Sequence, residues 1–429
     1  MDTIFALASA AGKAGVSIIR VSGPDALRKA AALGATLTDH DRRLVRITDS
    51  DGALIDQAFA LSFAPGRSFT GEQVVELQTH GSPAIVVAVL RRLAELGLRQ
   101  AEAGEFTRRA LENGQLDLSQ VEGLVDLIDA ETESQRIQAV RVFSGALGDL
   151  SHNWRKMLVR AAALLEATID FVDEDVPVDV FPEVRSLVEK VISDLEHEAS
   201  GVQIRERVRD GFEIALVGPP NSGKSTLLNR LAGREAAITS DIAGTTRDVI
   251  EVRMDLNGLP VTILDTAGLR ASDDILEEMG IARGRARANA ADVRVHLLNE
   301  TEKPSGTYDS GLDIYVQSKA DLGRDIKSLP CISGLTGEGI DALLDQIAKH
   351  LTEKIAGAGV ATRTRHEQAL VKSLVALRRV SFGLKDDSTS VDLMAEDLRV
   401  GIRALDSLIG RVDVENVLGE IFSSFCIGK

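Results

Sequence analysis

The run Gly218-Pro219-Pro220-Asn221-Ser222-Gly223-Lys224-Ser225 has the spacing G-x-x-x-x-G-K-[ST]. Glycines at that spacing let backbone N–H groups turn inward around phosphate oxygens, and a helix beginning there adds its positive end. Lys224 would neutralise the β- and γ-phosphates, and the Ser225 hydroxyl would ligate Mg²⁺. Asn221, Ser222, Gly223 and Thr226 complete the stretch that would lie along the phosphates. The flanks suit this chemistry: an apolar strand pattern over Phe212–Val217 precedes the loop, and the helical pattern Thr226-Leu227-Leu228-Asn229 follows it.

Three further segments follow in order. Gly244-Thr245-Thr246-Arg247-Asp248 offers hydroxyls within reach of Mg²⁺ and the γ-phosphate. Asp265-Thr266-Ala267-Gly268 closes the apolar run 261–264; Asp265 can hold Mg²⁺ through water, and the Gly268 N–H can sense the γ-phosphate. Ser318-Lys319-Ala320-Asp321 follows the apolar run 312–316. A carboxylate at Asp321 can accept from guanine N1 and N2 together, a donor pair that adenine lacks, so it selects GTP. One such segment alone says little; four in order point to a GTPase. Ser318 stands where GTPases usually carry Asn, whose amide ties the guanine loop together, so weak nucleotide affinity is expected. Ser333-Gly334 replaces a Ser-Ala pair, and the Gly N–H can still reach guanine O6 from a looser loop.

These loops need a parallel sheet to hold them. Apolar strand patterns at 212–217, 261–264, 293–298, 312–316 and 330–332 alternate with helical patterns at 223–232, 277–290 and 339–351. Before them, residues 1–118 read as mixed α and β: strands at 16–21, 59–63 and 73–77, then a helix over 85–96 with Ser82-Pro83 at its start. From Ser119 the apolar period becomes helical, with Ser119 and Glu122 spaced as a capping box, so 119–208 reads as all-helical. Helical periodicity returns after Gly357-Ala358-Gly359. The simplest arrangement is an α/β module over 209–357, inserted into a helical domain made of 119–208 and 358–429. Periodicity alone does not show that the two helical parts touch.

The chain has 429 residues, enough for two to four domains, and 44% of them are hydrophobic. A net charge of -16 excludes a body that attracts nucleic acid through its overall field. Two cysteines exclude a disulfide framework and a four-cysteine zinc site, and suggest a reducing compartment. No apolar stretch is long enough to span a membrane. The mildly apolar run from Ile4 to Ala11 has no basic start and breaks at Gly12-Lys13, so no signal peptide is expected and a cytoplasmic location is.

The phosphate loop with Asn221, the run Asp241-Ile242-Ala243-Gly244-Thr245-Thr246-Arg247-Asp248, and Asp265-Thr266-Ala267-Gly268-Leu269-Arg270 resemble the MnmE (TrmE) family of tRNA modification GTPases. So do the terminal Phe425-Cys426-Ile427-Gly428-Lys429 and the N-terminal segments 15–23 and 68–72, which extends the resemblance over essentially the whole chain. It implies a mixed α+β, folate-binding N-terminal domain that forms a homodimer, an all-helical central domain, and an inserted Ras-like P-loop α/β G domain. It further implies a partner, the FAD-dependent MnmG, with which an aminomethyl or carboxymethylaminomethyl group is added to C5 of the wobble uridine of certain tRNAs. The one-carbon unit would come from 5,10-methylene-tetrahydrofolate, and 5-formyl-tetrahydrofolate would bind the same site.

Carried over residue by residue, the resemblance makes Ser225 and Thr246 ligands of Mg²⁺. Asn221, Ser240, Ile242 and Thr245 become ligands of a K⁺ ion that offsets developing charge in place of an arginine finger. Leu269 cannot orient water, and Glu277 matches the family's catalytic glutamate. Arg20, Glu76 and Gln115 fall on folate positions, Gln115 where a lysine is often found, and Cys426 is a candidate reactive thiol. The residues themselves leave other readings open. Asn221 also reads as a turn residue, Glu277 as a solvated Glu near a helix N-terminus, Arg20 and Glu76 as strand-end charges, and Cys426 as a small packing residue. Two other functions compete with this one: a ribosome-assembly GTPase of the Era or Der kind, against which the single G domain and the acidic charge count, and a folate transferase with a vestigial GTPase, against which the intact phosphate loop counts.

Overall fold

The computed structural model describes residues 2–170, 179–234, 236–238, 251–265, 286–298, 312–323, 329–386, 389–412 and 428. They fall into two compact units.

The first unit comprises Met1–Val125, Leu147–Arg155 and Leu405–Lys429. Its elements are β1 (Ile4–Leu7), β2 (Ala14–Ser22), α1 (Ala26–Ala32), β3 (Arg42–Thr48), β4 (Leu54–Phe63), β5 (Val74–Gly81), α2 (Pro83–Glu95), β6 (Arg99–Gln100) and α3 (Glu105–Glu112). The strands form one sheet in the order β3-β4-β5-β2-β1-β6. All neighbours are antiparallel except β1 and β6. Alternation along each strand sends one set of side chains, among them Ile19, Val21, Val75 and Leu77, against Ala26 and Ala30 of α1 and Val89 and Leu93 of α2. On the other face Leu44 pairs across with Phe59, and both are exposed, as is Val16.

At 16–21 and 73–77 the strands expected from sequence are present and longer, whereas 59–63 is only the second half of β4. The helix α4 (Leu118–Ile128) has a different cap from the one expected. The Gln120 N–H donates to the Asp117 carboxylate at 2.8 Å, and the Asp117 N–H donates to the Gln120 side-chain oxygen at 3.0 Å. This reciprocal pair displaces the Ser119–Glu122 box, because both of those residues are buried within the helix.

The second unit comprises Asp126–Ala146 and Lys156–Ala404. Along the chain come α5 (Glu133–Phe143), α6 (Ala146–Asp170, whose residues 147–155 belong to the first unit), α7 (Phe181–Asp210), β7 (Phe212–Val217), α8 (Lys224–Ala232), β8 (Glu251–Leu256), β9 (Leu259–Asp265), β10 (Val293–Leu298), β11 (Leu312–Ser318), β12 (Cys331–Ile332), α9 (Ile340–Ile355), α10 (Thr364–Gly383) and α11 (Val391–Leu408, whose residues 405–408 belong to the first unit). The sheet order is β12-β11-β10-β7-β9-β8, parallel throughout except for β8. β7 is internal: the chain runs from it to β8 at the sheet edge, returns through β9 on one side of it, and then crosses to β10 on its other side. The crevice beyond its C-terminal end is the switch point where open α/β sheets bind ligands. Ile214, Leu216, Ile263, Val295 and Leu297 form the core with Leu227, Leu228 and Leu231 of α8 and Leu343, Leu344 and Ile347 of α9.

Helices before and after the α/β module touch, which periodicity could not show. Arg378 of α10 pairs with Glu196 of α7 at 2.8 Å, and Arg185 of α7 donates to the Leu384 carbonyl at 2.7 Å. The Glu198 carboxylate accepts from the Val360 N–H at 2.6 Å, fastening α7 to the chain as it returns from the module. Of the helix expected at 277–290, residues 286–290 are helical and the rest lie outside the described residues. Among the described residues no helix is long and apolar enough to cross a membrane.

Candidate functional site

The phosphate loop leaves the buried strand β7 and ends in α8, as its sequence requires. Two residues take left-handed backbone conformations, Asn221 at φ 62° and Gly223 at φ 96°. Asparagine and glycine are the residue types that tolerate this. Gly218 meets β10 so closely that a Cβ there would stand 2.6 Å from the Leu297 carbonyl oxygen. The Lys224 ammonium, buried, donates to the carbonyls of Gly218 at 2.6 Å and Pro219 at 2.8 Å. Burial pushes its pKa below the ordinary lysine value, and the charge of Asp265 works in the opposite sense. The Ser225 hydroxyl donates to the Asp265 carboxylate at 3.0 Å. Ser222 is buried within the loop, whereas Asn221, Ser225 and Thr226 are exposed along its rim. The assembly therefore offers one cation and a hydroxyl–carboxylate pair of hard oxygens at the start of a helix.

On the same edge of the sheet, Ser318 ends β11, and its hydroxyl donates to the Leu298 carbonyl at 3.3 Å. Lys319 is left-handed at φ 63°, and Asp321 follows in a 3₁₀ turn with its side chain exposed. The buried Ser333 hydroxyl donates to the Asp321 carboxylate at 2.6 Å, which aims the carboxylate while each of its oxygens keeps a lone pair for a base. Gly334 follows Ser333 and rests on the first turn of α8.

In the first unit, Arg20 of β2 and Glu76 of β5 are direct cross-strand partners, and their side chains meet at 2.9 Å. The Arg20 guanidinium lies 5.2 Å from the ring centre of Phe69 and 5.5 Å from that of Phe106. Gln115 is exposed, and its side chain lies against Gly71 in the loop that carries Phe69. The mostly buried guanidinium is thus held between a carboxylate and two rings, the fully buried Phe106 and the partly buried Phe69, which fix its direction. Gly428 is buried on the backbone of Leu7 and Ala8, at the end of the strand whose Ala6 pairs with Arg20.

Ser240, Ile242, Thr245, Thr246, Thr266, Ala267, Gly268, Glu277 and Cys426 lie outside the described residues. Sequence reading missed Phe69 and Phe106, because nothing local ties either ring to Arg20. It also missed Arg109, whose guanidinium reaches Glu72 at 3.1 Å, Glu105 at 3.0 Å and Asp2 at 2.7 Å beneath that loop.

Two family models match: one described as the GTP-binding protein TrmE N-terminus, over residues 3–115, and one described as the MnmE helical domain, over residues 118–426. The chain is 57% identical over 430 residues to a tRNA modification GTPase MnmE of Cereibacter sphaeroides, covering 100% of both chains. It is 57% identical over 431 residues to the protein of the same name in Ruegeria pomeroyi, again over 100% of both. A solved Aquifex aeolicus Era variant bound to GDP.AlF4- is 27% identical over 32% of this chain and 56% of its own, with a TM-score of 0.26, too low to bear on the fold.

Proposed function

The chain belongs to the MnmE (TrmE) family, and we propose that it is a GTP hydrolase taking part in tRNA modification. The contact between Ser225 and Asp265, at a phosphate loop that holds Lys224, carries this reading. A hydroxyl and a carboxylate beside an anion cradle fit Mg²⁺ that arrives with a triphosphate. Mg²⁺ bound there would supply charge neutralisation between the β- and γ-phosphates. Ser225 and Thr246 would ligate it and Asp265 would hold its water. Lys224 would exchange its loop carbonyls for phosphate oxygens, and Asp321 would select guanine. Glu277 would position the attacking water. The exposed Asn221, at the tip of the loop, has an amide oxygen of the kind K⁺ accepts; with Ser240, Ile242 and Thr245 it would hold that ion as the substitute for an arginine finger.

In the first unit, Arg20 and Glu76 would bind a tetrahydrofolate one-carbon carrier, with Gln115 at its margin and Cys426 reaching it from the tail; the seat of Gly428 on β1 supports that approach. The exposed Leu44, Phe59 and Val16 on the same sheet face support a homodimer through this domain. With MnmG, the chain would add the aminomethyl or carboxymethylaminomethyl group to C5 of the tRNA wobble uridine in the cytoplasm. Its net charge of -16 favours tRNA contact shared with that partner.

Deleting the gene and profiling tRNA nucleosides by mass spectrometry tests the reading. Loss of the C5 modification is expected, and an unchanged profile rejects it. Purified protein should turn GTP over faster in KCl than in NaCl at equal ionic strength, and Asn221→Ala should remove the difference; equal rates for the unaltered protein remove the K⁺ assignment.

A further inference from the structure

The guanine loop and the phosphate loop must hold a fixed spacing, since one nucleotide spans both. Ser318 does not supply the tie: its short side chain is directed to the Leu298 carbonyl, within the sheet. Two other contacts join the halves. A Cβ on Gly334 would stand 2.8 Å from Leu227 N, 3.0 Å from Thr226 C and 3.1 Å from the Leu227 Cα, so the loop backbone lies directly on the helix turn that follows Ser225. One turn further along α8, the Arg230 guanidinium donates to the Thr336 carbonyl at 3.1 Å. Gly337 makes room for it, since a Cβ there would stand 2.8 Å from an Arg230 nitrogen. The Thr336 N–H in turn donates to the Ser333 hydroxyl at 3.1 Å, and Ser333 holds Asp321.

We infer that Gly334 and Arg230 are positioning residues for guanine binding, joining the base-reading loop to the phosphate loop in place of the side chain that Ser318 lacks. A continuous path results: Asp321, Ser333, Thr336, Arg230 and α8, with Gly334 as a second point of contact. The inference rests on the guanine-nucleotide reading of this site. Gly334 has no positive φ, so an alanine meets no backbone penalty and its methyl group probes the contact alone.

The test uses the full chain, with a fluorescent GDP analogue for affinity, steady-state GTP hydrolysis, and Tm without nucleotide. Gly334→Ala is expected to raise the Kd for GDP about tenfold, the scale of effect that a small displacement of a positioned group produces. Adding Ser318→Asn to that variant should recover much of the loss, because the longer amide can supply the missing tie. Arg230→Met keeps the aliphatic stem on α8, and should raise KM by a similar factor while kcat at saturating GTP and the nucleotide-free Tm stay at the level of the unaltered protein. Unchanged GDP affinity in both variants overturns the inference. So does a fall in Tm that Ser318→Asn does not offset, which would mark the contacts as structural only. An unaltered protein that binds ATP analogues as well as GDP fails the underlying reading instead.

Discussion

Ser225 and Asp265, 40 residues apart in the chain, meet at 3.0 Å at the C-terminal ends of β7 and β9. Parallel pairing of those strands sets the distance, because Leu216 sits opposite Asp265 in the register. The arrangement predicts that Ser225→Ala and Asp265→Asn each lower Mg²⁺-dependent GTP hydrolysis by about a hundredfold or more, the scale of losing a preorganised charge-stabilising group. GDP binding measured in EDTA should stay close to that of the unaltered protein. Equal losses with and without the metal would mean that the pair shapes the loop rather than holding the ion.

Asp321 makes a separate prediction about the base. A carboxylate accepts from both guanine donors, whereas an asparagine presents one acceptor and one donor. Xanthine offers the complementary N–H and carbonyl. Asp321→Asn should therefore weaken GTP binding by about a hundredfold and bind xanthosine triphosphate more tightly than GTP, as expected when the donor–acceptor pattern facing the base is changed. Competition between the two nucleotides for the variant measures this, and a retained preference for GTP removes Asp321 from base selection.

The phosphate loop was legible in the sequence because its function is local: eight successive residues set the turn, the amides, the ammonium and the hydroxyl. Strands β7 and β10 were nearly as legible, since apolar residues predominate in each and both are largely buried; the Arg294 and His296 that interrupt β10 are buried against Asp313. Edge strands were not. β3 reads Arg-Arg-Leu-Val-Arg-Ile-Thr and β8 reads Glu-Val-Arg-Met-Asp-Leu, with charges at their exposed positions that hide the strand in a search for apolar runs. Nor was the cap at Asp117, whose partner Gln120 is less diagnostic than the Ser119–Glu122 pair two residues on. Contacts that depend on tertiary structure leave no local trace: the rings of Phe69 and Phe106 beside Arg20, the bridge from Arg230 to Thr336, and the packing of α7 on α10 all join distant parts of the chain.

The Arg20–Glu76 pair yields a binding prediction. Each side chain is about four-fifths buried, so removing one partner leaves the other poorly solvated. Arg20→Gln and Glu76→Gln should each reduce affinity for 5-formyl-tetrahydrofolate at least about tenfold, the cost of one charge-assisted hydrogen bond. Isothermal titration calorimetry on the full chain measures the change, and GTP hydrolysis should continue in both variants. Unaltered folate affinity in both would leave the pair as a cross-strand ion pair and nothing more.

Acid stability can be followed in the first unit through the protein's single tryptophan, Trp154, which is buried in its segment Leu147–Arg155. The hydrogen bond from Arg99 lowers the pKa of Asp2 from 3.8 to about 2; desolvation opposes the shift and Arg109 adds to it. Burial raises the pKa of Glu105, but the hydrogen bond from Arg99 and its other partners outweigh that and hold it below the ordinary value. A carboxylate whose folded pKa lies below its unfolded pKa binds fewer protons in the folded state. Its stabilisation is therefore fully present above the unfolded value and is lost as pH falls through the folded one. For Asp2 that window runs from 3.8 down to about 2. Thermal melts followed by Trp154 fluorescence should show Asp2→Asn melting below the unaltered protein at pH 5, with the two curves converging as the pH falls through the window. A constant gap across it would mean that the Asp2 carboxylate carries no linked proton, and that its contacts with Arg99 and Arg109 act through geometry alone.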